Sequence, residues 1–290
     1  FDAELQGPSA GGGANNAPTF HELSSGGLTD GVSNVFRLNY SAASDIVIDG
    51  GFTYPTNILY ADADNQVGDT TSPTGIAVAQ FILRDGGASG DSDGTITELE
   101  TITLNISNHI YLRSIALYEG STEIAELDAS NISPTGDLLF STLATFQAPD
   151  DGTNSLTVKV TFRDANVDDN QVINFRVIDA TTGGVSSAFD VSGTATAFPA
   201  LAAEENQIEV VATSLDIIFP AAPTAVSINT PFTPSIAARD VNNNLDLDFE
   251  GAASTITAFE NVSSNTMANG PVVGATQFAD GLLDFSAAFP

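Results

Sequence analysis

The chain has 290 residues, and its 37 acidic side chains against 7 basic ones give a formal net charge of −30. The basic residues are scattered singly and no apolar run approaches the roughly 18–20 residues that span a bilayer, which excludes nucleic-acid binding, docking on an anionic membrane and membrane insertion. The sequence contains no cysteine, which excludes disulfides, thiolate zinc sites and cysteine nucleophiles.

The N-terminal segment begins F-D-A-E-L-Q-G, with neither a Met nor an apolar leader. We therefore expect a piece processed or excised from something longer. Within this segment, Gly7–Ala17 is rich in Gly, Ala and Asn. That composition is typical of a flexible loop or linker.

Four stretches further along the chain alternate apolar and polar residues with the period of two that is typical of a half-buried strand. In chain order they are Thr101–Ser107, Ser155–Arg163, Ile173–Ile178 and Gln207–Thr213. The residues expected on their buried faces are Ile102, Leu104, Ile106, Leu156, Val158, Val160, Phe162, Ile173, Phe175, Val177, Ile208 and Val210.

Clusters of Gly, Asp and Asn separate the apolar runs, and these residues favour turns through positive φ and local hydrogen bonds. The clusters are Arg84–Thr95, Glu119–Thr122, Ala148–Asn154 and Asp164–Asn170. Short strands with a turn signal roughly every ten residues predict an all-β fold built from β-sandwiches. A change of composition at Phe198–Asn206 predicts a module junction, with a new strand from Gln207.

Five motifs of the central part occur in the same order in a family of repeats. They are S-D-I-V-I-D-G-G-F-T-Y-P-T-N-I-L-Y (Ser44–Tyr60), F-I-L-R-D-G-G-A-S-G-D-S-D-G-T (Phe81–Thr95), Y-L-R-S-I-A-L-Y-E-G-S-T-E-I-A-E (Tyr111–Glu126), V-T-F-R-D-A-N-V-D-D-N-Q (Val160–Gln171) and N-Q-I-E-V-V-A-T (Asn206–Thr213). The chain resembles the tandem β-modules of very long Bacteroidota surface proteins exported by the type IX secretion system. That group includes gliding adhesins and prey-catching filament proteins.

The C-terminal part, with A-A-R-D-V-N-N-N-L-D-L-D-F-E-G (Ala237–Gly251), resembles the immunoglobulin-like domain that follows in such arrays. The resemblance implies tandem β-sandwich, immunoglobulin-like modules in an elongated array outside the cell, at its surface. Residues 1–43 would finish one immunoglobulin-like module, 44–206 would form a central repeat module, and 207–290 would start the next.

The many aspartates supply the oxygen ligands that Ca²⁺ prefers, although the sequence favours a solvated acidic surface as their explanation. Three clusters are candidate calcium sites, each with an ordinary polar loop as the alternative. The first contains Asp85, Asp91 and Asp93, the second Asp164, Asp168 and Asp169, and the third Asp240, Asn242 and Asn244. The acidic stretch Ala61–Asp69 is a further candidate.

The third cluster lies in Ala238–Gly251, where two interpretations compete. The alternating oxygen ligands of D-x-N-x-N are the spacing of many calcium loops, but the glycine and final Glu of an EF-hand are missing. Alternatively, Asp240–Asn244 is a polar turn, followed by an amphipathic strand with Leu245, Leu247 and Phe249 on one face. Asp246 and Asp248 would then point away from the core, and the sequence favours this interpretation.

An enzyme is not expected, because the two histidines, His21 and His109, lie in unrelated contexts and no G-x-S-x-G elbow is present. We instead expect a structural segment of an extracellular filament or adhesin, with copies of itself as partners in a homo-oligomer. The alternative is a calcium-dependent module that binds a glycan or a protein on a cell surface. In that alternative, exposed tyrosines contact the ligand instead of packing in the sheets; the tyrosines concerned are Tyr54, Tyr60, Tyr111 and Tyr118.

Overall fold

In the computed structural model of the chain, the described residues are 44–62, 75–91, 93–143, 145–183, 189, 206–218, 235–249, 254–255, 272–273 and 278–284. All of them belong to one compact unit, Ser41–Pro290. The predicted first module, residues 1–43, lies outside the described residues, as does most of the acidic stretch Ala61–Asp69.

The described part of the chain is all-β, as predicted, with only short 3₁₀ helices at His109–Tyr111 and Ala129–Asn131 beside its strands. No helix in that part is long and apolar enough to cross a membrane. The strands are β1 (Asp45–Ile48), β2 (Asn57–Leu59), β3 (Ile76–Arg84), β4 (Thr97–Ile106), β5 (Leu112–Glu119), β6 (Thr122–Asp128), β7 (Asp137–Ser141), β8 (Gln147–Ala148), β9 (Thr153–Phe162), β10 (Val172–Ile173), β11 (Phe175–Thr182), β12 (Asn206–Glu209), β13 (Ser214–Ile218), β14 (Ser235–Arg239), β15 (Ser254–Thr255), β16 (Val272–Val273) and β17 (Leu282–Asp284).

Two antiparallel sheets form the central region. The larger has the order β1-β3-β9-β5-β6, and the smaller has the order β11-β4-β7, with β8 also paired to β4. Both contribute to a single apolar core, Phe81 and Val158 from the larger sheet and Leu104 and Phe140 from the smaller one. Two antiparallel sheets with a shared core are the arrangement of a β-sandwich.

The predicted alternation is confirmed at every residue expected on a buried face. Leu104, Val158 and Ile208 are fully buried, and the other nine residues predicted for these faces are also buried. Period-2 alternation succeeds here because successive side chains of a strand point to opposite faces, so the apolar set reaches the core together.

A third sheet joins distant parts of the chain, because β12 pairs antiparallel with β10 and parallel with β2. Strand β12 spans the predicted boundary between Asn206 and Gln207, and it belongs by its pairing to the central region. Beyond it, β13, β14 and β17 form an antiparallel C-terminal sheet, and β15 pairs with β16. The division into three modules stays a prediction.

Candidate metal centre

The first predicted calcium cluster comes together in the loop between β3 and β4. Asp85, Asp91 and Asp93 each offer a carboxylate oxygen, and Asp150, from the turn before β9, joins them within 4.8 Å. We call these four residues the loop cluster. Asp150 was not among the predicted ligands, and its only signal in the sequence is its place in the turn cluster Ala148–Asn154.

Most carboxylate oxygens of the loop cluster are occupied by hydrogen bonds to the loops themselves. Asp85 is buried and accepts hydrogen bonds from the hydroxyl of Thr97 and from the backbone N–H of Asp151, the latter at 2.9 Å. Asp93 accepts from the N–H of Thr95 at 2.7 Å. These bonds stabilise the fold of the loop without a cation.

Asp91 has a buried carboxylate oxygen that lacks a donor in the described part of the chain. Its Oδ1 accepts a hydrogen bond from the N–H of Asp93 at 3.4 Å, whereas its buried Oδ2 has no hydrogen-bond partner among the described residues. Partial burial, followed by the charges of Asp93 and Asp85, raises the pKa of the Asp91 carboxyl above its ordinary value. The residue as a whole is only half-buried.

The second predicted cluster does not assemble around one point. The Asp164 carboxylate is exposed and lies 3.8 Å from the guanidinium of Arg113. Asp168 accepts a hydrogen bond from the Tyr111 hydroxyl at 2.8 Å. Asp169 is buried, and its carboxylate joins a different group of residues.

The third predicted cluster forms a hydrogen-bonded turn. Asp240 Oδ1 accepts from the backbone N–H groups of Asn242 and Asn244, at 2.9 and 2.8 Å. Asp240 Oδ2 accepts from the hydroxyl of Tyr60, and burial together with this bond raises the pKa of Tyr60 to about 12. Because both Asp240 oxygens have donors, the turn is satisfied without a metal ion.

The same turn fastens the C-terminal sheet to the central region. The buried amide of Asn244 accepts from the N–H of Val167 at 3.1 Å and donates to the carbonyl of Asp164 at 3.3 Å and to the Tyr60 hydroxyl. We call this network between Asp240–Asp248 and the central region the junction. It joins residues about 80 and 180 positions apart.

A further carboxylate cluster lies at the junction and was not predicted as a set. Asp169, Asp246 and Asp248 each offer a carboxylate oxygen within 4.8 Å of the others; we call them the junction cluster. Asp169 accepts from the backbone N–H groups of Val210 and Leu247, both at 2.8 Å. These bonds hold Asp169 from two segments that are distant in sequence, the one directly after β12 and the Asp240–Asp248 segment.

Asp246 carries the least satisfied oxygen of the junction cluster. The residue is 5% exposed, and its Oδ2 accepts from the N–H of Ala212 at 2.8 Å. Its Oδ1 is buried and has no hydrogen-bond partner among the described residues. Burial is the main cause that raises the pKa of both Asp246 and Asp169, and the same cause with three neighbouring carboxylates raises the pKa of Glu209 to about 7.

The interpretation of residues from Leu245 onward as an amphipathic strand is wrong. Leu245 makes only an isolated bridge to Arg239, and no strand is formed from there to Phe249. Asp246 points into the protein, because the N–H of Ala212 and the Asp169 segment surround it. Alternation alone could not detect this, since five residues of a turn can mimic a strand pattern.

The tyrosines considered as an exposed binding surface are mostly buried. Tyr60, Tyr111 and Tyr118 are 0%, 4% and 3% exposed, and Tyr54 is half-buried in edge-to-face contact with Phe52. Ordinary packing therefore accounts for them. A shallow pocket lies elsewhere and has no aromatic residue in its lining, which consists of Ile110, Arg113, Asp128, Arg163, Asp164, Ala165 and Asn166.

No model of a known protein family matches the chain. No curated protein is significantly similar to it either. The resemblance to the exported Bacteroidota surface proteins therefore stays a prediction.

Proposed function

We propose that the chain is a structural segment of a long extracellular filament or adhesin that projects from a cell surface. In this role, β-sandwich modules of immunoglobulin-like type follow one another in an array and carry load between its ends. Copies of the chain associate laterally, and adhesive parts lie elsewhere in the longer protein. The prediction that the chain is not an enzyme belongs to this proposal.

The observation that carries the proposal is the junction. Tyr60 and Asn244 form buried hydrogen bonds across it, and Asp169 binds N–H groups from both β12's end and the Asp240–Asp248 segment. Buried hydrogen bonds to charged groups are worth more than exposed ones. Such a connection resists separation of the C-terminal sheet under tension, as a load-bearing segment requires.

Single-molecule pulling on the full chain, held at its two ends, tests the mechanical role. We expect wild type to show a force peak for separation at the junction, and Tyr60→Phe to lower that peak by removing a buried hydrogen bond to Asp240. Tyr111→Phe is the matched control, because its partner Asp168 is exposed and can be hydrated instead. An unchanged force in Tyr60→Phe contradicts a load-bearing junction.

Lateral association is opposed by a net charge of −30 at low salt. The Debye length falls from ~30 Å at 0.01 M to ~3 Å at 1 M ionic strength, so association should appear only as salt is raised. Light scattering and electron microscopy across a salt series test this. A chain that stays monomeric throughout contradicts the proposed self-association.

The alternative, a calcium-dependent glycan- or protein-binding module, is supported by the loop cluster with its unpartnered Asp91 oxygen. Burial of Tyr60, Tyr111 and Tyr118 argues against a tyrosine surface for sugar stacking. We therefore favour the structural role. A glycan array probed with and without Ca²⁺ distinguishes the two, because only the binding module retains a specific glycan.

A further inference from the structure

The junction cluster brings together three acidic side chains from two distant segments. Asp169 precedes β10, and Asp246 and Asp248 follow β14. Each offers one oxygen, and these oxygens lie within 4.8 Å of one another. Ca²⁺ binds oxygens at about 2.3–2.6 Å, so two ligands on opposite sides of one ion are up to roughly 5 Å apart. The spacing therefore fits a single shared Ca²⁺ ion.

The unpartnered oxygen of Asp246 is the second and independent observation. Asp246 is 95% buried, and the described residues offer no donor to its Oδ1. A buried carboxylate oxygen without a donor or a cation is strongly disfavoured. The rest of the side chain is held in place, because Oδ2 accepts from the N–H of Ala212.

Within the described part of the chain, no ion pair with an Arg or Lys side chain neutralises the three carboxylates of the junction cluster. The ion pairs found there join Arg84 to Asp45, Arg113 to Asp164, and Arg239 to Asp216. None of them includes a carboxylate of the junction cluster. Three like charges this close repel one another unless a proton or an external cation intervenes.

A bound cation explains the arrangement better than a shared proton does. Asp169 accepts two backbone N–H hydrogen bonds, and such bonds favour the ionised form of a carboxylate. A proton between Asp246 and Asp248 would satisfy one pair of oxygens and leave Asp169 facing a remaining negative charge. A divalent ion satisfies oxygens of all three side chains at once.

We propose that Asp169, Asp246 and Asp248 bind one Ca²⁺ ion that locks the junction. Asp169 and Asp246 supply buried, preoriented oxygens, and the exposed Asp248 closes the site from the solvent side. Solvent access at Asp248 leaves room for water ligands to complete the six to eight oxygens that Ca²⁺ takes. The proposal stands without the filament function, since it concerns binding by the folded chain alone.

Isothermal titration of the full chain with CaCl₂, after removal of divalent ions with EDTA, tests the proposal. We expect a dissociation constant of roughly 10⁻⁴–10⁻³ M, the range of extracellular calcium modules. Asp246→Asn keeps an oxygen that can accept the hydrogen bond from the N–H of Ala212, and it should abolish Ca²⁺ binding. Asp248→Asn, at an exposed position where folding is not at risk, should weaken it at least about tenfold.

Two matched variants locate the ion. Asp179→Asn removes one exposed acidic charge on β11, and it should leave the affinity unchanged. Asp91→Asn changes the loop cluster and should also leave the junction binding event intact. Loss of all calcium binding in Asp91→Asn, with normal binding in Asp246→Asn and Asp248→Asn, overturns the proposal.

Thermal unfolding provides a second readout. At about ten times the wild-type dissociation constant, Ca²⁺ should raise the melting temperature of wild type by roughly 2–5 °C, raise that of Asp248→Asn by no more than about 1–2 °C, and leave that of Asp246→Asn unchanged. Wild type that neither binds Ca²⁺ in the titration nor gains stability from it overturns the proposal. Neither result bears on the pulling experiment, so the two proposals fail separately.

Discussion

The loop cluster and the junction cluster have similar charge but are assembled differently. Three of the four loop residues lie within nine positions of one another, between Asp85 and Asp93. The junction cluster combines Asp169 with Asp246 and Asp248, which lie 77 and 79 positions further along the chain. Donors on the loops occupy most loop oxygens and leave the Oδ2 of the half-buried Asp91 without one, whereas in the junction cluster the oxygen without a donor among the described residues belongs to Asp246, which is 95% buried.

Acidic composition alone therefore does not identify where a buried carboxylate oxygen lacks a donor. An aspartate in a turn commonly accepts N–H groups of its own turn, as Asp93 does from Thr95. An aspartate brought to a packed contact loses its water, and only the tertiary contacts decide whether donors replace it.

Gly281→Ala should disrupt the junction cluster most strongly. Gly281 has a left-handed φ of 70°, and an added Cβ would lie 2.0 Å from the backbone oxygen of Asp246. Left-handed strain and the backbone displacement together should cost about 3–5 kcal/mol. Urea denaturation of the full chain measures the loss.

Gly120→Ala is the matched control for backbone strain alone. Gly120 has a φ of 58°, with nothing within 4 Å of an added Cβ, so its cost should be about 1 kcal/mol. If Gly281→Ala and Gly120→Ala lose the same free energy of unfolding, the close packing of Gly281 on Asp246 contributes nothing to stability.

Asn244→Ala should be the next most damaging change. It leaves the N–H of Val167 without its acceptor and removes the amide that donates to the Asp164 carbonyl. Buried groups that lose partners should cost about 2–3 kcal/mol, measured by urea denaturation. Asn242→Ala, in the same turn but half-buried, should cost under about 1 kcal/mol. A loss in Asn242→Ala as large as that in Asn244→Ala contradicts the conclusion that the hydrogen bonds of Asn244 stabilise the junction.

Tyr60→Phe should destabilise the chain by about 2 kcal/mol at neutral pH, because Asp240 loses a buried donor. The pKa of Tyr60 is raised from 10.0 to about 12, first by burial and then by this hydrogen bond. The folded state therefore holds the phenol proton more tightly than the unfolded state does. This stabilisation is complete below about pH 10 and is lost as the pH rises toward about 12.

Urea denaturation of wild type and Tyr60→Phe from about pH 8 to about pH 12 checks the sign. The difference in unfolding free energy between the two should shrink across the upper part of that range. A difference that grows with pH contradicts the proposed buried phenol.

Asp150→Ala should have the smallest effect. Asp150 is exposed and accepts one hydrogen bond, from the N–H of Gly94 at 3.1 Å. Loss of one exposed bond should cost about 0.5 kcal/mol in the same denaturation experiment. A loss as large as that of Asn244→Ala shows that the loop cluster is as important to stability as the junction.

The strands were predictable from the sequence because their signal is local. Leu156, Val158, Val160 and Phe162 alternate along β9 and all are buried. The loop cluster was predictable for the same reason, apart from Asp150. A local pattern is sufficient where the chain geometry itself places the residues on one face or in one turn.

Local alternation gave the wrong environment for Asp246. Its alternation with Leu245 and Leu247 predicted a solvent-facing carboxylate, yet Asp246 is buried beside Asp169 and Ala212. Its environment depends on β12 and the Asp164–Asn170 turn, which come from distant parts of the chain. No periodicity within five residues contains that information.

Composition and local alternation are therefore sufficient to establish the all-β class, the buried faces of the strands and the high negative charge. Contacts between distant segments determine which aspartates come together, which of their buried oxygens lack donors, and where the C-terminal sheet is attached. The physical reason is range: alternation and turn propensity act between neighbours in sequence. Desolvation and charge repulsion act between neighbours in space, and folding alone establishes those.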